Sequence, residues 1–108
     1  MGITTHILDI ATGKPAVGVP VRLARSVGTG WHEVGAGYTD ADGRLTTLLP
    51  ADAPAPHGRY RITFDTAAYL GSSAFFPEVQ LVFAVADDRH HHVPLLLSPF
   101  GYSTYRGS

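Results

Sequence analysis

Apolar and polar residues alternate along this chain in short runs with a period of two, broken at short intervals by Gly, Pro and Asp. The cleanest run is Arg59 to Asp65, where Tyr60, Ile62 and Phe64 share one face. Val79, Leu81, Phe83 and Val85 repeat it, as do Val19, Val21 and Leu23, with Arg22 pointing the other way. Pro20 assigns that last run to a sheet edge or a strand start. Ile3 to Ile10 alternates in part, with Thr4, His6 and Leu8 on one face and Thr5, Ile7 and Asp9 on the other. Trp31 to Thr39 reads as a strand weakened by Gly35 and Gly37. A tight turn over Asp40 to Gly43 leads into a short strand, Leu45 to Leu49, and leaves Arg44 at the junction. Thr12 to Pro15, Gly28 to Gly30 and the proline-rich Pro50 to Gly58 are turns and loops. Asp65 or Thr66 caps one short helix over Ala67 to Leu70, ended by Gly71.

The last stretch carries the densest pattern. His90 to Leu97 reads as a strand with His90 and His92 on one face and His91 on the other. A turn over Ser98 to Gly101 returns the chain along a second strand, Tyr102 to Arg106. A terminus bearing Phe100, Tyr102 and Tyr105 belongs in a sheet, whereas frayed ends are polar. Leu95, Leu96 and Leu97 make both faces apolar, so that end of the strand is expected to be covered twice, by its own core and by another subunit. About eight strands and one short helix predict an all-β fold, a two-sheet sandwich with Greek-key-like connections.

Composition narrows the picture. A chain of 108 residues suits a single domain spanning 1–108. The formal charge of −1, with cations scattered along the chain, argues against nucleic acid and anionic membrane as partners. Absence of cysteine excludes disulfides, thiolate catalysis and cysteine-ligated metals. With no long apolar window and no basic-then-apolar leader, a soluble cytoplasmic protein is expected.

His6, Arg44, His92 and the run from Tyr105 to Ser108 come from four separate parts of the chain, yet their types suit one chemistry. Histidine accepts and donates protons near neutral pH, and two of them beside an arginine fit activation of water at a carbonyl that becomes an oxyanion. Taken singly, each is more often structural than catalytic. A second reading is zinc, with His90 and His92 in HxH spacing and His6 as third ligand. There is no GxSxG elbow, P-loop or HExxH.

The segments THILD, GKPA and VPV, DGR at 42–44, FFPEV at 75–79, HHHVPLLLSPFGYSTY and above all the ending YRGS resemble the 5-hydroxyisourate hydrolases, the transthyretin-related enzymes of urate degradation. The resemblance runs the length of the chain. It implies a transthyretin-like β-sandwich and a homotetramer, a dimer of dimers with active sites in the channel between. It also implies hydrolysis of 5-hydroxyisourate without metal or cofactor. Matched by motif, His6, Arg44, His92 and Ser108 would be catalytic, and Tyr105, Arg106 and Gly107 would bind substrate. The family's usual HYHVP differs here at His91, a change expected to touch packing or an interface. Transthyretin shares the scaffold and the SPxxYST stretch but lacks this tail and its histidines, so the alternative is a carrier of a small aromatic ligand in the same channel.

Overall fold

A computed structural model of the chain describes residues 2–108. Its strands are β1 (Ile3–Asp9), β2 (Lys14–Pro15), β3 (Pro20–Val27), β4 (Gly30–Tyr38), β5 (Arg44–Leu45), β6 (Gly58–Phe64), β7 (Val79–Val85), β8 (His91–Ser98) and β9 (Gly101–Thr104), with one helix, α1 (Thr66–Leu70). They form two sheets. One runs β2-β1-β8-β9, with β5 also paired to β1; the other runs β4-β3-β6-β7. The expected two-sheet sandwich is present, and among the described residues no helix is long and apolar enough to cross a membrane.

Alternation decides which faces meet. Tyr60, Ile62 and Phe64 of β6, Val79 and Val85 of β7, and Ile3 and Ile7 of β1 are all buried between the sheets. Along β8 the inward residues are His91, Val93, Leu95 and Leu97, while His92 and Leu96 lie half-buried on the outer face. Thr5 also points inward, and its hydroxyl satisfies itself by donating to the Val93 carbonyl at 2.6 Å.

Several boundaries differ from the sequence reading, each for a tertiary reason. The expected strand Leu45 to Leu49 shrinks to β5, because the chain then crosses over β4 instead of extending its ladder. A Cβ at Gly35 would stand 1.8 Å from the Leu48 carbonyl oxygen, and one at Gly37 would stand 2.9 Å from Leu45 Cδ1. These two glycines thus make room for Leu45 and Leu48, both of them buried. β3 continues past Leu23 to Val27 because its register shifts between Leu23 and Ala24, a bulge that turns both residues inward. Pro20 opens that strand, as expected. The Thr12 to Pro15 turn contains the two-residue β2, paired with Leu8 and Asp9.

The helix starts at Thr66 with Asp65 as its cap, the carboxylate accepting from Ala68 N at 3.2 Å, and Gly71 closes it at φ +65°. Beyond it, Phe75 N donates to Pro99 O at 2.9 Å, and the Phe76 ring meets Tyr102 edge-on at 5.4 Å. The loop carrying FFPEV is thereby fastened to the β8–β9 turn.

The terminal strand is shorter than the expected Tyr102 to Arg106. β9 ends at Thr104, and the ladder resumes in the same register only at the bridge between His92 and Gly107. Pro94 explains the gap, since it has no N–H to give the residue opposite, and its carbonyl accepts from the Thr104 hydroxyl at 2.7 Å.

Candidate functional site

The outer face of the β1–β8 sheet gathers the histidines. In the parallel β1–β8 pairing Thr4 stands opposite His92 and His6 opposite Pro94; on the other side of β1, His6 stands opposite Arg44. Three distant segments thus place His6, Arg44 and His92 on neighbouring positions of one face.

The Asp40–Arg44 turn is built to deliver Arg44. One Asp40 carboxylate oxygen accepts from Asp42 N at 2.9 Å and from Arg44 N at 3.0 Å, while Gly43 N donates to Asp40 O at 2.9 Å. These backbone donors, with the Arg44 charge adding less, hold the Asp40 carboxyl below the usual carboxylate range. Gly43 adopts φ +74°, and its carbonyl accepts from Ile7 N at 2.8 Å, docking the turn on β1. A Cβ there would lie 2.6 Å from the Ile7 carbonyl oxygen, so the close approach requires glycine. The Arg44 side chain is exposed, and among the described residues its guanidinium makes no ion pair or hydrogen bond.

His92 is held from two sides. Gly107 N donates to His92 O at 2.8 Å, and Gly107 lies so close to the ring that a Cβ would stand 2.5 Å from His92 Cδ2. Thr4 Oγ1 lies 2.8 Å from His92 Nδ1 and 2.7 Å from His90 Nε2. Burial, then the neighbouring charges of His90, His6 and Arg44, hold the His92 imidazole below its ordinary value of 6.5. The ring therefore stays neutral at neutral pH.

The structure brings together His6, Arg44, His92 and Gly107 of the residues singled out from sequence. Arg106, Gly107 and Ser108 line a hollow of about 540 Å³ with Arg89 and His90 beside them. Tyr105 and Arg106 also border a cleft of about 370 Å³ between the free edges of β7 and β9, where Phe83 and His91 face them. His91 is buried, 3.8 Å from an Asp87 carboxylate oxygen, on the inward side of β8. His90 and His92 do share a face, but the two nitrogens they turn toward each other meet the Thr4 hydroxyl. Among the described residues no three His, Cys, Asp or Glu side chains are placed to share a metal ion. Thr4 itself was not singled out; alternation puts it on the His6 face, but a threonine in a strand carries no chemical signal.

The HIUase/Transthyretin family model matches residues 3–107. The chain belongs to this family. Within it, the 5-hydroxyisourate hydrolase of Salmonella dublin is 49% identical over 110 residues, covering 98% of this chain and 80% of the relative. The structure of Klebsiella pneumoniae 5-hydroxyisourate hydrolase superposes with a TM-score of 0.84 at 41% identity, covering 98% of this chain and 97% of that one. Sea bream transthyretin in complex with thyroxine superposes with a TM-score of 0.90 at 34% identity, covering 99% and 95%. Both branches of the family share the scaffold, so the side chains on the sheet face must distinguish an enzyme from a carrier.

Proposed function

We propose that this protein hydrolyses the cyclic amide of 5-hydroxyisourate, opening its six-membered ring to 2-oxo-4-hydroxy-4-carboxy-5-ureidoimidazoline. The observation that carries the reading is the meeting of His6, Arg44 and His92 at adjacent register positions, with Gly107 seated on the His92 ring. His92, held neutral, draws the proton from water, and His6 orients that water. The Arg44 guanidinium, without a partner among the described residues, matches the urea-like edge of the substrate and the negative charge that develops on its carbonyl. Ser108 assists through its hydroxyl, and Tyr105 to Gly107 form the wall beside it. The reading assigns no metal to the step, a point that the chelator in the assay tests. A carrier of apolar ligands would bury these imidazoles and the guanidinium without partners, at a cost in affinity. The test is the decay of ultraviolet absorbance of freshly generated 5-hydroxyisourate, with and without the protein, in chelator. Decay accelerated in chelator supports the reading, and decay at the spontaneous rate removes it.

The pH dependence follows from His92. Because its folded-state value lies below 6.5, the acid limb of kcat/KM is expected below pH 6.5. The stability sign agrees: above 6.5 the ring is neutral in both states, and as pH falls through the lower folded value the unfolded chain has already taken up the proton, so stability declines. A limb centred above 6.5, with chemistry limiting the rate, would assign the base to another group.

The assembly belongs to the same proposal, a homotetramer formed as a dimer of dimers with the histidine faces lining its channel. Leu8 and Leu96 stand opposite each other in register on that face, both half-buried. Leu96→Arg would bury an unpaired charge between subunits, and is expected to dissociate the tetramer in sedimentation velocity and lower activity with it. A tetramer unchanged by the substitution would place the interface elsewhere.

A further inference from the structure

Thr4 joins the two neighbouring imidazoles of the site. It is 3% exposed, with Oγ1 at 2.7 Å from His90 Nε2 and 2.8 Å from His92 Nδ1. A hydroxyl has one hydrogen and two lone pairs, so it donates to at most one of these nitrogens, and at least one of them must donate to it. The two arrangements in which it donates give His92 opposite tautomers. With Thr4 donating to His92 Nδ1, the ring hydrogen sits on Nε2, and the nitrogen facing the open site has no lone pair to offer. With Thr4 donating to His90 Nε2, its oxygen accepts from His92 Nδ1–H, and Nε2 is bare. Among the described residues Nε2 has no partner of its own, so the Thr4 bond is what selects the tautomer.

We propose that Thr4 and His90 are positioning residues: His90 Nε2 accepts the Thr4 hydroxyl hydrogen, Thr4 Oγ1 accepts from His92 Nδ1–H, and His92 is thereby held with Nε2 ready to take a proton. The inference rests on the hydrolase reading and deepens it by assigning the nitrogen that acts. Water gives its proton to Nε2 as its oxygen forms the bond to the carbonyl carbon. When the carbon–nitrogen bond breaks, its electron pair takes that proton back from Nε2 onto the leaving nitrogen. Nδ1–H stays on Thr4 throughout, so the chain of hydrogen bonds is the same before and after turnover. His90 is exposed at the outer end of this chain, with Asp52 and Asp88 on one side and Arg89, Arg106 and Ser108 on the other.

The test compares kcat and KM of the full chain with those of Thr4→Val, Thr4→Ser, His90→Phe and His90→Gln, alongside ¹⁵N spectra of the histidine rings. Thr4→Val and His90→Phe are expected to lower kcat about 10–100-fold with KM nearly unchanged, the size seen when the group orienting a functional histidine is lost. In His90→Phe the Thr4 hydroxyl, its acceptor gone, turns to His92 Nδ1. Thr4→Ser keeps the hydroxyl and His90→Gln keeps an acceptor oxygen, so both should retain most of kcat. The ¹⁵N spectrum of the unmodified protein should show His92 as the Nδ1–H tautomer. Because His90 is at the surface, its variants decide the matter even where Thr4→Val fails to fold. Unchanged kcat in His90→Phe, a loss confined to KM, or an Nε2–H tautomer in the unmodified protein would overturn the proposal. Absence of hydrolysis by the unmodified protein would instead overturn the functional reading, and the tautomer spectrum would still decide the hydrogen-bond chain.

Discussion

His92→Ala and Arg44→Ala are each expected to lower kcat by roughly 10²–10⁴, the contribution typical of a positioned acid–base or charge-stabilising group. The fold should survive both. Arg44 is exposed, and the turn that presents it is held by its backbone N–H on Asp40, which alanine keeps. His92 lies on the outer face of β8, and the bond that ties it to Gly107 runs through its carbonyl, which alanine also keeps. What His92→Ala forfeits is one side-chain bond to Thr4, worth about 1 kcal/mol of stability. Arg44→Lys separates geometry from charge: if the planar fork matters, lysine restores little of the lost turnover, since a point charge cannot meet two acceptors side by side. Steady-state kinetics with melting curves for each variant makes the measurement. Near-normal kcat in a folded variant removes that residue from the mechanism.

Deletion of Tyr105 to Ser108 is expected to cost about 10²-fold or more in turnover with only a small fall in melting temperature, since displacing a reacting group by an ångström carries a penalty of that size. Tyr105, Arg106 and Ser108 are exposed and add nothing to the core, and Gly101 to Thr104 remain paired with β8 without them. The deletion does remove the Gly107 N–H that holds the His92 carbonyl and the backbone that flanks its ring. Gly107→Ala is the finer probe. Its methyl group would fall 2.5 Å from His92 Cδ2, so the ring must swing or the tail must lift. Either displacement should lower kcat while the melting temperature barely moves. Full activity in the truncated chain would show that the tail does not build the site.

Much of the architecture is local and therefore legible along the chain. Tyr60, Ile62 and Phe64 face the core because a strand's side chains alternate, whatever it packs against. Asp65 and Gly71 bound a helix because one side chain and one left-handed glycine satisfy its ends from within a few residues. Pro20 at a strand start and Arg44 just after a tight turn follow from backbone chemistry in the same way. His6, Arg44, His92 and the tail were marked by residue type and by the family resemblance of the motifs around them.

The tertiary structure decided which of these residues meet. His6 reaches Arg44 only because β5 folds back on β1, and Thr4 reaches His92 only because the first and eighth strands lie parallel, with most of the chain between them. Gly35 and Gly37 read as weak points in a strand until Leu48 and Leu45 are seen crossing over them; Gly107 reads as one residue of a tail that the resemblance assigns to substrate, and only the His92 ring lying against it shows why it is glycine. Thr4 was indistinguishable from any other strand threonine until two imidazoles converged on its hydroxyl. The physical reason is common to all four. Alternation, caps and turns are set by immediate neighbours in sequence, whereas a close backbone approach or a shared hydrogen depends on a partner in another segment of the chain, which only the folded structure brings within reach.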